Sequence, residues 1–135
     1  MSIATIRSGL ATRLLTVTGL RVESYYPDDI HPPMAIVDTY RIDYDNSFGA
    51  GSGGTGTDTV TFDLLLVVRR TSERTAQRDL DTLVPLVRTA INADKSLGGA
   101  AHGLRVTSMN GYVPLVSGET TYLAASLAVQ VIAAT

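Results

Sequence analysis

The sequence predicts an α+β domain: an antiparallel or mixed sheet of about five strands with two helices packed on one face. Two stretches repeat apolar residues at helical spacing, five alternate apolar and polar residues as strands do, and the order is α-β-β-β-α-β-β. With 135 residues and 44% hydrophobic content, the chain supports one core over residues 1–135, without internal repeat or interdomain linker.

The first helix is expected over residues 2–15. Ser2 is placed to cap it, and Ile3, Ile6, Leu10 and Leu14 share a face while Arg7, Ser8 and Arg13 fall elsewhere. Gly19 ends that region. A short strand follows in LRVESYY, where Leu20, Val22 and Ser24 alternate with Arg21, Glu23 and Tyr25. PDDIHPP then imposes a loop, because consecutive prolines cannot donate to a sheet ladder. MAIVDTYRIDYD reads as strand, with Tyr40, Ile42 and Tyr44 opposite in direction to Arg41, Asp43 and Asp45.

TVTFDLLLVVRR is the strongest strand pattern. Val60, Phe62, Leu64, Leu66 and Val68 share one face, and the other changes from polar Thr61 and Asp63 to apolar Leu65 and Val67. That strand should therefore be covered on both sides over half its length. A second helix begins after Thr71 or Ser72 as cap, with Glu73 favourable near its positive end. Ala76, Leu80, Leu83, Val87 and Ile91 form its buried stripe, and Pro85 inside it predicts a kink or break. After the connector KSLGGAAHG come two strands joined as a hairpin through VSGET. The last turns Leu123, Ala125, Leu127, Val129 and Val131 inward, and Tyr122, Ser126 and Gln130 outward.

Composition removes several chemistries. The chain has no cysteine, so disulfide scaffolds, thiolate metal sites and cysteine nucleophiles are excluded. Its net charge is −2 with a single lysine, Lys95, and no basic block of the kind that binds a polyanion nonspecifically. No run approaches a membrane span of ~20 apolar residues. Arg7 and Arg13 interrupt the amino-terminal apolar positions, so that segment is not read as a targeting peptide. The chain reads as soluble and intracellular when made.

His31 and His102 each lack a second ligand at helical spacing, and the loop acids Asp28 and Asp29 read as solvated. Ser52, Ser108 and Ser117 lack a nucleophile elbow. The pairs Asp43 with Asp45 and Asp79 with Asp81 read as polar surface. No catalytic residue, cofactor site or metal site is assigned. Arg69 and Arg70 are suited to hold an anion or to pair with an acid of a neighbouring subunit, and the interface reading is preferred.

DNSFGAGSGGTGTDT, residues 45 to 59, matches G-x-G-x-x-G at Gly49, Gly51 and Gly54. A dinucleotide fingerprint needs its last glycine to open a helix that holds the pyrophosphate, and here the glycines run into a β pattern. The phosphate-loop pattern fails too, since Thr57 stands after Gly56 where lysine is required. Residues 46–58 read instead as a flexible connection between strands.

Phrasing and element order together resemble the tail terminator (tail completion) proteins of long-tailed bacteriophages. The likeness covers nearly the whole chain: an opening amphipathic helix, strands split by a long Gly/Ser/Thr loop, LLLVVRRTSERTAQRDLDTLVPLVRTAI running into the second helix, and LGGAAHGLRVTSMNGYVPLVSGETTYLAASLAVQVIA at the close. The resemblance implies an α+β sandwich and a structural, non-enzymatic virion protein. It implies a homo-oligomer, a hexameric ring that caps the tail tube, ends its polymerisation and presents a surface for head–tail joining. The implied partners are the tail tube protein and the head-side connector or stopper, with DNA only as passing cargo and no membrane. The implied location is the tail or neck of the virion, and the host cytoplasm during assembly. Alternatives are another neck or tail adaptor, or a small-molecule-binding domain or enzyme built from dispersed residues such as Asp43, Asp45 and Arg69. The family offers no motif that fixes interface positions residue by residue.

The candidate interface residues are Phe48, Gly49, Gly51, Gly53, Gly54, Gly56 and Asp58 on the arm, with Arg69, Arg70, Asp28 and Asp29. Ordering about a dozen arm residues costs on the order of 12–24 kcal/mol of backbone entropy as an upper bound. The arm is therefore expected to order only where several subunits or the tube supply surface together.

Overall fold

The computed structural model describes residues 2–44 and 57–134. Helix α1 (Ile3–Leu14) is followed by strands β1 (Arg21–Glu23), β2 (Met34–Asp43) and β3 (Thr57–Arg69), helix α2 (Glu73–Asn92), and strands β4 (Gly103–Ser117) and β5 (Thr120–Ala134). The expected α-β-β-β-α-β-β order is the observed one. The sheet is mixed, in the order β1-β2-β3-β5-β4, with β1 parallel to β2 and every other pair antiparallel. β5, the last strand in sequence, lies between β3 and β4, so the most apolar strands occupy the middle.

Both helices pack on one face of this sheet. Ile6, Leu10 and Leu14 of α1 and Ala76, Leu80, Val87 and Ile91 of α2 meet Phe62, Leu64 and Leu66 of β3 and Leu127, Val129 and Val131 of β5 in one core. Each large apolar side chain buried here contributes about 1.5–3 kcal/mol relative to exposure. Ser2 and Ser72 cap the helices, their Oγ atoms accepting from the N–H of Thr5 at 3.2 Å and Thr75 at 3.1 Å. The hairpin between β4 and β5 turns at Gly118, whose φ of +62° suits the first turn position of a tight two-residue connection.

The opposite face carries a smaller core. Ile30, from the proline-rich loop, covers Met34 and Ile36 of β2, Val67 of β3 and Ala124 of β5. β3 is thus covered on both sides toward its carboxyl end, as its composition predicts.

A bulge reconciles the two halves of β2. Val37 pairs with Leu64, but Tyr40 pairs with Phe62, so β2 contains one extra residue between them. Before the bulge Ala35 and Val37 face the helices; after it Tyr40 and Ile42 do. Without it the strand would turn Tyr40 away from Phe62, whose ring centroid lies 5.6 Å from that of Tyr40.

Of the kink or break expected at Pro85, the break does not occur: α2 runs through it, with the proline on the exposed side of the helix. Arg7, off the apolar face of α1 in the sequence pattern, is only 6% exposed. The connector before β4 forms a 3-10 turn at Leu97–Gly99 that presses Leu97 onto Gly9 of α1. Leu97 has φ of +50°, uncommon for a residue with a Cβ. The Asp94 carboxylate holds the turn, accepting from Ser96 Oγ at 2.8 Å, Ser96 N–H at 3.2 Å and Gly98 N–H at 3.0 Å.

Candidate functional site

Described polar groups gather beside β3 in two places, at its middle and at its carboxyl end. At its carboxyl end, Arg69 and Arg70 are adjacent in sequence but differ in company. Arg70 Nε donates to Glu73 Oε2 at 2.8 Å, at the start of α2. Arg69 has no ion pair or side-chain hydrogen bond among the described residues; it is exposed and lines two neighbouring clefts.

The first cleft, about 500 Å³, lies between the Pro32–Pro33 loop and α2, with Val68, Leu83 and Leu86 as its apolar part and Asp79 and Thr82 at its margin. The second, about 540 Å³, is lined by Arg21, Ile30, His31, Pro32, Arg69, Thr120 and Tyr122. Its lining includes two guanidinium groups, an imidazole and two hydroxyls, and no carboxylate. The parallel pairing of β1 with β2 brings Arg21 there, since Arg21 sits opposite Met34 and its N–H donates to the Pro33 carbonyl at 3.1 Å. Anchoring of Ile30 in the second core fixes the loop that carries His31. Chemically this arrangement suits an oxyanion, whether carboxylate or phosphate.

At the middle of β3, Asp63 lies beside the β2 bulge. Thr39 Oγ1 donates to Asp63 Oδ2 at 3.1 Å. The Asp38 carboxyl is held above the ordinary aspartate range, first by burial and then by the charge of Asp63, with Arg7 opposing both. Arg41 is close, but it is engaged by Asp43 at 3.0 Å in an exposed pair. Thr39, Tyr40, Arg41, Asp43, Thr61 and Asp63 line a shallow hollow of about 380 Å³.

Among the other sequence candidates, Asp28 and Asp29 are exposed in the loop before Ile30 and line neither cleft. Asp58 is 5% exposed, on the helix-facing side of β3 opposite Ala133. Phe48, Gly49, Gly51, Gly53, Gly54 and Gly56 lie outside the described residues, as does Asp45. Asp79 and Asp81 are exposed on α2, and His102 is exposed before β4. Among the described residues no group of three His, Asp or Glu side chains could hold a metal ion, and no helix is long and apolar enough to cross a membrane.

Sequence reading found Arg69 but not the cleft. Arg21 and His31 are 48 and 38 positions away from it in the chain, brought near by the parallel pairing of β1 and by the anchoring of Ile30. No protein-family model matches the chain, and no curated protein matches it.

Proposed function

We propose that this protein is a structural component of a bacteriophage tail: a tail terminator whose copies form a hexameric ring on the end of the tail tube. The ring stops tube polymerisation, presents a surface to the head-side connector or stopper, and lets DNA pass through its centre. The protein works in the virion neck and is made in the host cytoplasm; its role is to bind neighbours rather than to catalyse.

One observation carries the reading beyond the sequence resemblance. Arg21 and Arg69 are directed at open clefts and have no partner within the described chain, while Arg70 beside them is satisfied by Glu73. Cations left without a partner at the rim of a rigid sheet are groups for another molecule to meet. A ring of identical subunits needs such unlike patches, because each copy presents one surface and receives a different one.

A second reading rests on the same cleft. Its volume and its cation-rich lining also suit a small oxyanion, which would make the protein a ligand-binding domain. Imaging separates the two. Gold-labelled protein on isolated phage tails should mark the head-proximal end of the tube as a single ring. Label spread along the tube, or absent from particles, combined with tight binding of phosphate or citrate in solution, favours the ligand-binding domain.

A further inference from the structure

Asp63 and Arg69 are six residues apart on β3, hence on the same face of the strand. At about 3.3 Å per residue they are held roughly 20 Å apart. One end of that face therefore carries Arg69, Arg21 and His31 around a cleft without a lining carboxylate. The middle of that face carries Asp63 with Asp38, while Arg41, which lines the same hollow, is already held by Asp43. The strand between them is paired on both sides, with β2 and with β5, so it cannot bend to bring the two together. Opposite charges on one rigid face that cannot meet within a chain can meet between chains.

The surface beside Asp63, toward the amino-terminal end of β3, is apposable. Thr59, Thr61, Ser126, Ala128 and Gln130 face the same side, and their modest side chains leave it open and low in relief. A neighbouring copy that seats only its basic end there contacts both area and charge, and its own acidic patch stays open to the next copy. The charges set register and orientation, and the area supplies most of the affinity.

We propose that Arg69 of one copy, supported by Arg21, seats on the Asp63–Asp38 pair of the next, so that copies of this chain join head to tail. This rests on the ring reading above and names the surfaces that make it. The contact is heterologous: every copy offers a basic end and a separate acidic patch, and the series ends only when rotation closes it.

The test uses two charge reversals in the full chain, Arg69→Glu and Asp63→Arg, read by sedimentation velocity and negative-stain imaging up to the highest soluble concentration. Wild-type protein should associate, and each variant alone should stay monomeric. An equimolar mixture should regain assembly with the two variants alternating. At one joint the native Arg69 meets the native Asp63, and at the next the introduced glutamate meets the introduced arginine. Both sites are exposed, so melting curves should stay close to wild type; if either reversal unfolds, Arg69→Gln and Asp63→Asn replace it and should weaken association at least tenfold. Wild-type protein that stays monomeric throughout, or variants that associate as wild type does, would overturn the proposal. Tube capping that survives the reversals sinks this contact and leaves the terminator reading standing. Charge-dependent assembly without capping does the opposite.

Discussion

The Arg7 guanidinium, on α1, donates to the backbone carbonyl of Val37, at the residue where β2 enters its bulge. It also donates to the Ser24 carbonyl at 2.7 Å, and its charge lies 4.5 Å from the centre of the Tyr25 ring and 5.5 Å from that of Phe62. One side chain thus ties the first helix, the loop after β1 and the edge of β2 into one unit, and its charge reaches Asp38 beside Asp63.

Arg7→Met should therefore destabilise the fold, because two carbonyl groups lose a charged donor in a place water reaches poorly. The loss should be about 2–4 kcal/mol in urea unfolding, and Arg7→Lys should recover only part of it, since the shorter lysine side chain lacks the planar group that lies over the Tyr25 ring while Nη1 makes both bonds. Wild-type stability in Arg7→Met would mean the guanidinium is incidental.

Pro85→Ala should stabilise. Proline in a helix interior costs up to about 3 kcal/mol relative to alanine, and the unbroken course of α2 shows that alanine fits its backbone. A rise in the urea midpoint is the expected readout; a fall would mean that Pro85 packs in a way its exposed position does not suggest.

Gly9→Ala should cost stability even though alanine favours helix. An added Cβ would stand 3.1 Å from Leu97 Cβ, close to a turn whose backbone is already in the left-handed region. Overpacking of about 1–3 kcal/mol outweighs a propensity gain of about 1 kcal/mol, for a net loss up to about 2 kcal/mol in thermal or urea unfolding.

Two aspartates should respond to pH in opposite senses. The Asp38 carboxyl is raised by burial and by Asp63, so its ionised form disfavours the fold, and that cost sets in as pH rises through the folded value. Asp38→Asn should then stabilise at pH 7 and change nothing well below the aspartate range. The Asp94 carboxyl is lowered, chiefly by the Ser96 hydroxyl and then the Gly98 N–H, so its contribution is present above the ordinary range and lost as pH falls through the folded value. Asp94→Asn should destabilise at pH 7 and be silent in acid. Melting temperatures of both variants at the two pH values decide it.

These positions also show how far the sequence could be read. Strand alternation marked the inward residues of β3 and β5 correctly, because both are flanked by apolar partners and neither shifts register between them. Bulges hid the rest: β2 and β4 each change phase where an extra residue enters, and no local residue type announces it. The burial of Arg7 was not legible in the pattern of α1, because the rings and carbonyls that receive it come from residues 24 to 62. Ile30 sat inside a loop of prolines and acids, so its role as anchor of the second core was invisible. The cleft around Arg69 needed the parallel pairing of a three-residue strand, which periodicity cannot supply.

Deletion of residues 49–56 follows from composition alone. The shortened protein should fold with an unchanged melting temperature but lose binding to its ring neighbours or the tube by at least tenfold in pull-down with assembled tubes. Unchanged binding would remove the glycine-rich arm from the interface.

The most direct measurement is the length of tail tubes polymerised in vitro from purified tube protein with increasing amounts of this chain. A terminator should shorten the tubes and leave a single ring on one end of each, at a ratio set by tube ends rather than by tube mass. Tubes of unaltered length, with the protein free in solution, would contradict the account.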